Sequence, residues 1–353
     1  MRILFLCKRH PQQRDLIERP YGRFFHIPTL LARGGHEVRV ALVGHKRQPR
    51  TERTVSNVQW HGFDVLAEGP LTTYRAVSAL TKEFAADWIV GCSDAWVAVL
   101  AHRLAQQYKL RLAIDAYDNF ESYMPFNLPL HQLWRRALRA ADTVTVAGPQ
   151  LAELLGRHSR NVSIVPMSAD PRFTATDRRD ARAALGLPLD TPLIGYFGGW
   201  ASNRGTDLVT AAFGRVLKHQ PDARLLLSGR PPPAIAERKD VIATGYLADE
   251  QLPLLTNAAS VSCVVTAESS FGRYSYPAKL CEAMACGIPV AATATEPVQW
   301  MLGADRNFLA PVGNAQSMAQ TILSALPIDR VNYQNRWTWE QSSAAFNAAI
   351  LRD

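Results

Sequence analysis

Short apolar runs alternate along this chain with longer segments whose apolar positions recur at helical spacing. Arg2–Cys7 is almost wholly apolar, the pattern of a strand buried on both faces within a parallel sheet. A helix over His26–Arg33 stops at Gly34-Gly35, where glycine suits the left-handed C-terminal position, and Glu37–Val43 restarts a strand. Trp88–Cys92, Leu112–Asp115 and Thr143–Ala147 read as further strands with helices between them. Such alternation predicts a parallel sheet covered on both faces.

Around Pro166–Asp190 the pattern weakens into prolines and a charged stretch, Asp177–Asp180, which reads as a domain boundary. The alternation then resumes. Strand Leu193–Phe197 leads into Gly198-Gly199, followed by helix Thr206–His219 and strands Arg224–Ser228 and Val241–Thr244. Helix Asp249–Asn257, strand Ser260–Val265, helix Pro277–Cys286 and strand Pro289–Thr293 complete it. The expected fold is α/β, with two Rossmann-like doubly wound domains facing across a cleft, where ligands bind at the carboxyl ends of the strands. Residues 1–170 form the first domain and 171–336 the second.

Composition narrows the class. With 353 residues, 47% apolar and 20% charged, the chain is of ordinary globular composition, and its length favours two domains. No apolar stretch approaches the ~20 residues of a membrane span. Met1–Cys7, followed at once by Lys8 and Arg9, does not read as a signal peptide. The five cysteines, Cys7, Cys92, Cys263, Cys281 and Cys286, are scattered without a CxxC, so reduced thiols and a cytoplasmic location are expected, with no zinc site. The net charge of +8 is uneven: residues 1–170 hold 22 Lys/Arg against 15 Asp/Glu. That imbalance points to a polyanion, an acidic substrate or an anionic membrane surface, with a merely solvated basic face as the alternative.

The most specific segment runs from Tyr274 to Val290 (YSYPAKLCEAMACGIPV). Pro277 suits a helix start, Gly287 a stop, and Lys279 and Glu282 fall at i and i+3 on one face. The free amides of such a helix start suit a phosphate, whereas a surface ion pair is the competing reading. Asp115, Asp118 and Glu121 follow a strand and belong at its carboxyl end. Helix-capping and turn-forming acids are the competing reading there.

In this order the segments resemble glycosyltransferase family 4, whose enzymes have the GT-B fold. The residues that carry the resemblance are Ala32–Val40, Ala141–Gly148, Val165–Phe173, Ile194–Gly199 with Arg204-Gly205, the Tyr274–Val290 segment, and Trp337–Glu340 at the start of a C-terminal helix that returns over 337–353 to the first domain. The resemblance implies that Glu282 holds the ribose hydroxyls of a nucleotide sugar. It also implies that Arg204, standing where the family has a lysine, holds the diphosphate while Gly198 and Gly199 admit it closely. Two departures concern the donor sugar. Tyr274 occupies the position of a family glutamate, for which Glu268 is the displaced candidate, and Gly199 stands near a missing arginine that Lys279 or Arg273 would replace. On the acceptor side Asp118 is expected as the first catalytic carboxylate and Asp115 as the second, with Gly22 and Tyr117 lining the cleft.

The expected function is transfer of a sugar from a UDP- or GDP-sugar to a hydroxyl of a glycan or lipid-linked acceptor, retaining and metal-independent, in polysaccharide or glycolipid biosynthesis. No cofactor beyond the donor is expected. The partners expected are donor, acceptor and an anionic membrane surface, without nucleic acid. A sugar-nucleotide epimerase or hydrolase on the same fold, or a degenerate binding subunit, are the rival readings.

Overall fold

The computed structural model describes residues 1–200 and 204–352, which divide into two compact units. The first comprises Met1–Met167 and the C-terminal segment from Thr338; the second is Ser168–Trp337.

The first unit is built on an eight-stranded sheet. Its strands are β1 (Arg2–Lys8), β2 (Glu37–Gly44), β3 (Thr51–Val55), β4 (Val58–Asp64), β5 (Trp88–Cys92), β6 (Arg111–Ala116), β7 (Thr143–Val146) and β8 (Val162–Ile164). They lie in the order β3-β4-β2-β1-β5-β6-β7-β8, parallel except for the β3–β4 hairpin. That hairpin turns through Ser56 and Asn57, both at positive φ, the geometry that matches strand twist in a two-residue turn. It is absent from the sequence reading because β3, Thr-Glu-Arg-Thr-Val, is a polar edge strand without an apolar face.

The Trp339–Leu351 helix belongs to this unit. Trp339, Phe346 and Ile350 enter the core that Phe5, Val40 and Trp60 line, and Ser342 Oγ donates to Pro166 O at 2.9 Å. Thr338 and Gln341 close a reciprocal capping box at its start. His26 stacks on Trp339 with ring centroids 5.3 Å apart.

One expectation fails here. Cys7 and Cys92 form a disulfide between β1 and β5, whose parallel pairing brings their Cα atoms to 5.2 Å. Eighty-five residues separate them in sequence, so scattered spacing concealed a pairing that sheet register creates. The remaining three cysteines are free and buried.

The second unit holds β9 (Leu193–Tyr196), β10 (Arg224–Leu227), β11 (Val241–Ala243), β12 (Val261–Val264), β13 (Val290–Thr293) and β14 (Leu309–Ala310). All are parallel, in the order β11-β10-β9-β12-β13-β14. Chain order reverses direction between β9 and β12, and between β1 and β5 in the first unit. These switch points open a crevice at the strand carboxyl ends because successive connections leave to opposite faces.

A buried ion pair ties the first helix of this unit to its sheet. Arg23, on the Arg23–Arg33 helix, meets Asp115 at the end of β6 through two hydrogen bonds of 2.8 and 2.6 Å, with both side chains almost wholly buried. Thr145 Oγ1 donates a further bond to the same carboxylate at 2.7 Å. Arg23→Met leaves that carboxylate without its counter-charge and should destabilise the first unit by about 3–5 kcal/mol. Urea denaturation measures this; a loss below about 1 kcal/mol contradicts a buried, mutually dependent pair.

Candidate functional site

Five of the residues singled out in the second unit converge at its switch point. Beyond β9 the chain enters Gly198 at φ +132°, a conformation that L side chains rarely adopt. A Cβ there would stand 3.3 Å from Lys279 Nζ, so the glycine lets backbone pass directly over the ammonium. Gly198 N–H donates to Ser228 Oγ at 3.2 Å. Next to it Gly229, at φ +85°, lies so close that a Cβ would come within 2.8 Å of Gly198 O. The loops after β9 and β10 are therefore packed backbone on backbone. Ser228-Gly229 after a strand was the available sequence signal for this second loop.

Lys279 stands in the first turn of the Ala278–Ala285 helix, capped by Pro277. It is half-buried, with Nζ 4.1 Å from the ring centroid of the fully buried Tyr196. Tyr196 hydroxyl donates to Gly199 O at 3.0 Å, fixing the loop above it, and burial pushes its acidity up to about 12. Tyr196 carries no separate signal in the sequence because it sits inside a strand run. Arg204 is the second cation: a Cβ on Gly199 would lie 3.7 Å from its Nε, and its charge acts on both Lys279 and Tyr196. Glu282, one turn on, is half-buried and draws the Lys279 value upward, but burial and Arg204 outweigh it. The net result lowers Lys279 to about 7.

Gly198, Gly199, Arg204, Lys279 and Glu282 are thus brought together. Glu268 and Arg273 stand exposed on the loop between β12 and this helix. That loop is tightly folded, for a Cβ on Gly272 would collide with Ala267 O at 2.1 Å. A separate pocket of about 580 Å³ lined by Arg178, Arg182, Ser260 and Arg330 opens at the amino ends of β9 and β12, away from these groups. Arg182 is consumed there by carbonyls of Leu189 and Ala258 and by Ser260 Oγ.

In the first unit, Tyr117 and Asp118 follow β6 as expected. Tyr123 hydroxyl donates to Asp118 Oδ2 at 2.8 Å and lies 3.3 Å from Tyr117 hydroxyl. Burial, then Asp118, raise both phenols well above their usual range, so they remain protonated donors. Gly22, at φ +61°, caps the helix that begins with Arg23. Asp115 differs from its expected role: both oxygens are engaged by Arg23 and Thr145, which makes it the anchor of that helix. Two groups escaped the sequence reading. Lys8 pairs with buried Asp94 at 3.3 Å across the β1/β5 switch point, and Ser93, at φ +73°, accepts from Lys8 N–H at 2.7 Å. Among the described residues no cluster of three or more His, Cys, Asp or Glu side chains could hold a metal ion.

Two family models match the chain: "Glycosyl transferase 4-like domain" over residues 26–168 and "Glycosyl transferases group 1" over 191–327. D-inositol 3-phosphate glycosyltransferase of Mycobacterium avium (strain 104) is 33% identical over 138 residues, spanning 35% of this chain and 30% of that protein. Its counterpart from Kribbella flavida is 28% identical over 220 residues, 57% of this chain and 51% of the relative. The matches thus span about a third to a half of these curated relatives' length. Sucrose-phosphate synthase from Thermosynechococcus elongatus superposes with a TM-score of 0.76 at 20% identity, covering 99% of this chain and 96% of that one. Anabaena HepE, solved in complex with UDP-glucose, does so at 0.71 and 16%, covering 100% and 95%. At such identities the structural likeness concerns the fold.

A folded-state value for Lys279 below the unfolded 10.5 means that native protein binds fewer protons between about 7 and 10.5. Stability therefore rises with pH across that window, and the cost of charging Lys279 is complete below it. Lys279→Met should stabilise the second unit at pH 6 and do so less at pH 10, as denaturant melts at the two pH values will show. An equal effect at both contradicts the lowered value.

Proposed function

We propose, from the premise that the chain belongs to the glycosyltransferase 4-like and group 1 family and has the GT-B fold, that it transfers a sugar from a nucleoside diphosphate sugar to a hydroxyl acceptor. The observation that carries this reading is the joint placement of Lys279 and Arg204 under Gly198 and Gly199 at the β9/β12 switch point. Two cations, the free amides of a helix start and glycine backbone that admits close approach form a receptor for a diphosphate. Glu282 supplies a carboxylate for the ribose hydroxyls. The complexes of HepE with UDP and UDP-glucose support a uridine nucleotide as the first donor to try.

In the reaction the bond between the anomeric carbon and the diphosphate oxygen breaks, and the leaving diphosphate gains negative charge. Arg204 and Lys279 are already in place to meet that charge, so little reorganisation accompanies its development. The acceptor oxygen attacks the anomeric carbon, and its proton passes to the departing phosphate oxygen. Attack from the face that the diphosphate leaves retains the anomeric configuration. We read the step as metal-independent because these two side chains carry the charge stabilisation. Asp118, with Tyr117 and Tyr123 as donors around it, orients the acceptor hydroxyl, and Glu268 is the candidate for a donor-sugar hydroxyl. A glycan or lipid-linked acceptor, as in polysaccharide or glycolipid synthesis, fits the basic first unit.

Two substitutions separate these roles. Glu282→Gln should keep the fold and weaken UDP by about 10- to 150-fold, the worth of charge-assisted hydrogen bonds of about 1.5–3 kcal/mol. Lys279→Ala should weaken UDP far more than uridine. Calorimetric titration with uridine, UMP and UDP measures both; affinities unchanged in both variants remove the donor site from this surface.

A further inference from the structure

Beyond β6 the chain makes a short turn over Phe120–Tyr123 and then the Leu128–Ala140 helix. The inner face of that helix is conventional: Trp134, Ala137 and Leu138 are buried, and Trp134 packs on Phe120 with centroids 5.4 Å apart. Its outer side is not. Phe126 is 94% exposed, Leu128 63% and Leu133 48%, with Met124 and Tyr123 also open beside them. Large apolar side chains left open in and beside one short turn are costly in water and mark an interaction surface.

The lip is held rigidly. Arg135 clamps Glu121 through two hydrogen bonds of 2.7 Å, a His131 ring nitrogen lies 2.9 Å from Met124 O, and Asn127 Oδ1 accepts from Leu130 N–H. Phe126 and Leu128 are therefore presented outward by a braced turn. Beyond them on the same helix Arg136 and Arg139 are exposed, while Arg135 is matched by Glu121. From the neighbouring Pro149–Gly156 helix and its end come Glu153 with Arg157, an exposed ion pair, and His158. The unmatched charge on this side is positive.

We propose that this lip docks the protein on an anionic lipid bilayer, Phe126, Leu128 and Leu133 entering the interfacial layer and Arg136 and Arg139 meeting lipid phosphates. A projecting apolar tip next to unmatched arginines suits a headgroup region, where aromatic and aliphatic side chains bury and basic residues gain from the surface potential. Five side chains are too few for a stable protein interface, which engages about 20–30 residues a side. The inference rests on the transferase reading in one respect. Tyr123 belongs both to the lip and to the Asp118 pair, so a bilayer seated here brings a lipid-linked hydroxyl toward the candidate acceptor groups.

Co-sedimentation of the full chain with phosphatidylcholine vesicles and with an equal mixture of phosphatidylcholine and phosphatidylglycerol tests it. The protein should pellet with the mixed vesicles and stay in solution with the neutral ones, and added salt should release it. Phe126→Ser/Leu128→Ser and Arg136→Glu/Arg139→Glu should each lower partitioning by at least about tenfold. Both variants should melt as wild type does and bind UDP unchanged. Equal recovery on both vesicle types, or double variants that pellet like wild type, overturns the proposal. So does sedimentation equilibrium showing a dimer that Phe126→Ser/Leu128→Ser abolishes, because the lip is then a contact between copies. Failure of UDP binding with vesicle binding intact defeats the transferase reading and leaves the lip standing.

Discussion

Lys279 and Arg204 hold like charges together in a half-buried place, where burial and Arg204 lower the lysine to about 7. Desolvation alone lowers an ammonium's affinity for protons, and Arg204 adds repulsion; Glu282, one turn away, returns part of the loss. The Tyr196 ring lies 4.1 Å from Nζ, and the bare Cα of Gly198 passes close by it. An oxyanion of high charge placed here would reverse each unfavourable term at once. That is the balance the proposed diphosphate site would exploit.

Everything that positions these two cations follows from parallel-sheet topology. Connections leaving β9 and β12 on opposite faces open the crevice, and only loops short in side chains can occupy its floor. Gly198 and Gly229 touch through their backbones, Gly272 folds the β12 loop onto Ala267, and the eight-residue helix starts where that loop ends. The first unit solves the same topological problem differently. There Arg23 and Asp115 lock the first helix to β6, and the polar cluster of Tyr117, Asp118 and Tyr123 is carried at the strand end that this lock fixes.

Much of this was readable from the chain. Continuous apolar runs located ten of the fourteen described strands, those whose burial on both faces made the run unmistakable; β3 was lost because its residues are polar, β4 because polar residues interrupt its apolar ones, and β8 and β14 because they are two or three residues long. The Tyr274–Val290 segment announced its helix by proline and glycine punctuation, and Lys279 and Glu282 lie where that punctuation put them. Contacts between distant segments were not legible. Neither Cys7 with Cys92, nor Asp115 with Arg23, nor Tyr196 under Lys279 has a local signature, since each arises only when strand register and loop closure bring the partners together. Asp115 shows the consequence: a carboxylate at a strand end reads as chemistry until its guanidinium partner is known.

The central claim is that a diphosphate is bound by recharging Lys279. Titration calorimetry of UDP at pH 8, in buffers of differing ionisation enthalpy, measures the protons exchanged on binding. With the free lysine lowered to about 7 and fully protonated against the diphosphate, the account predicts uptake of about one proton per UDP bound. A binding enthalpy that does not change with the buffer would contradict it.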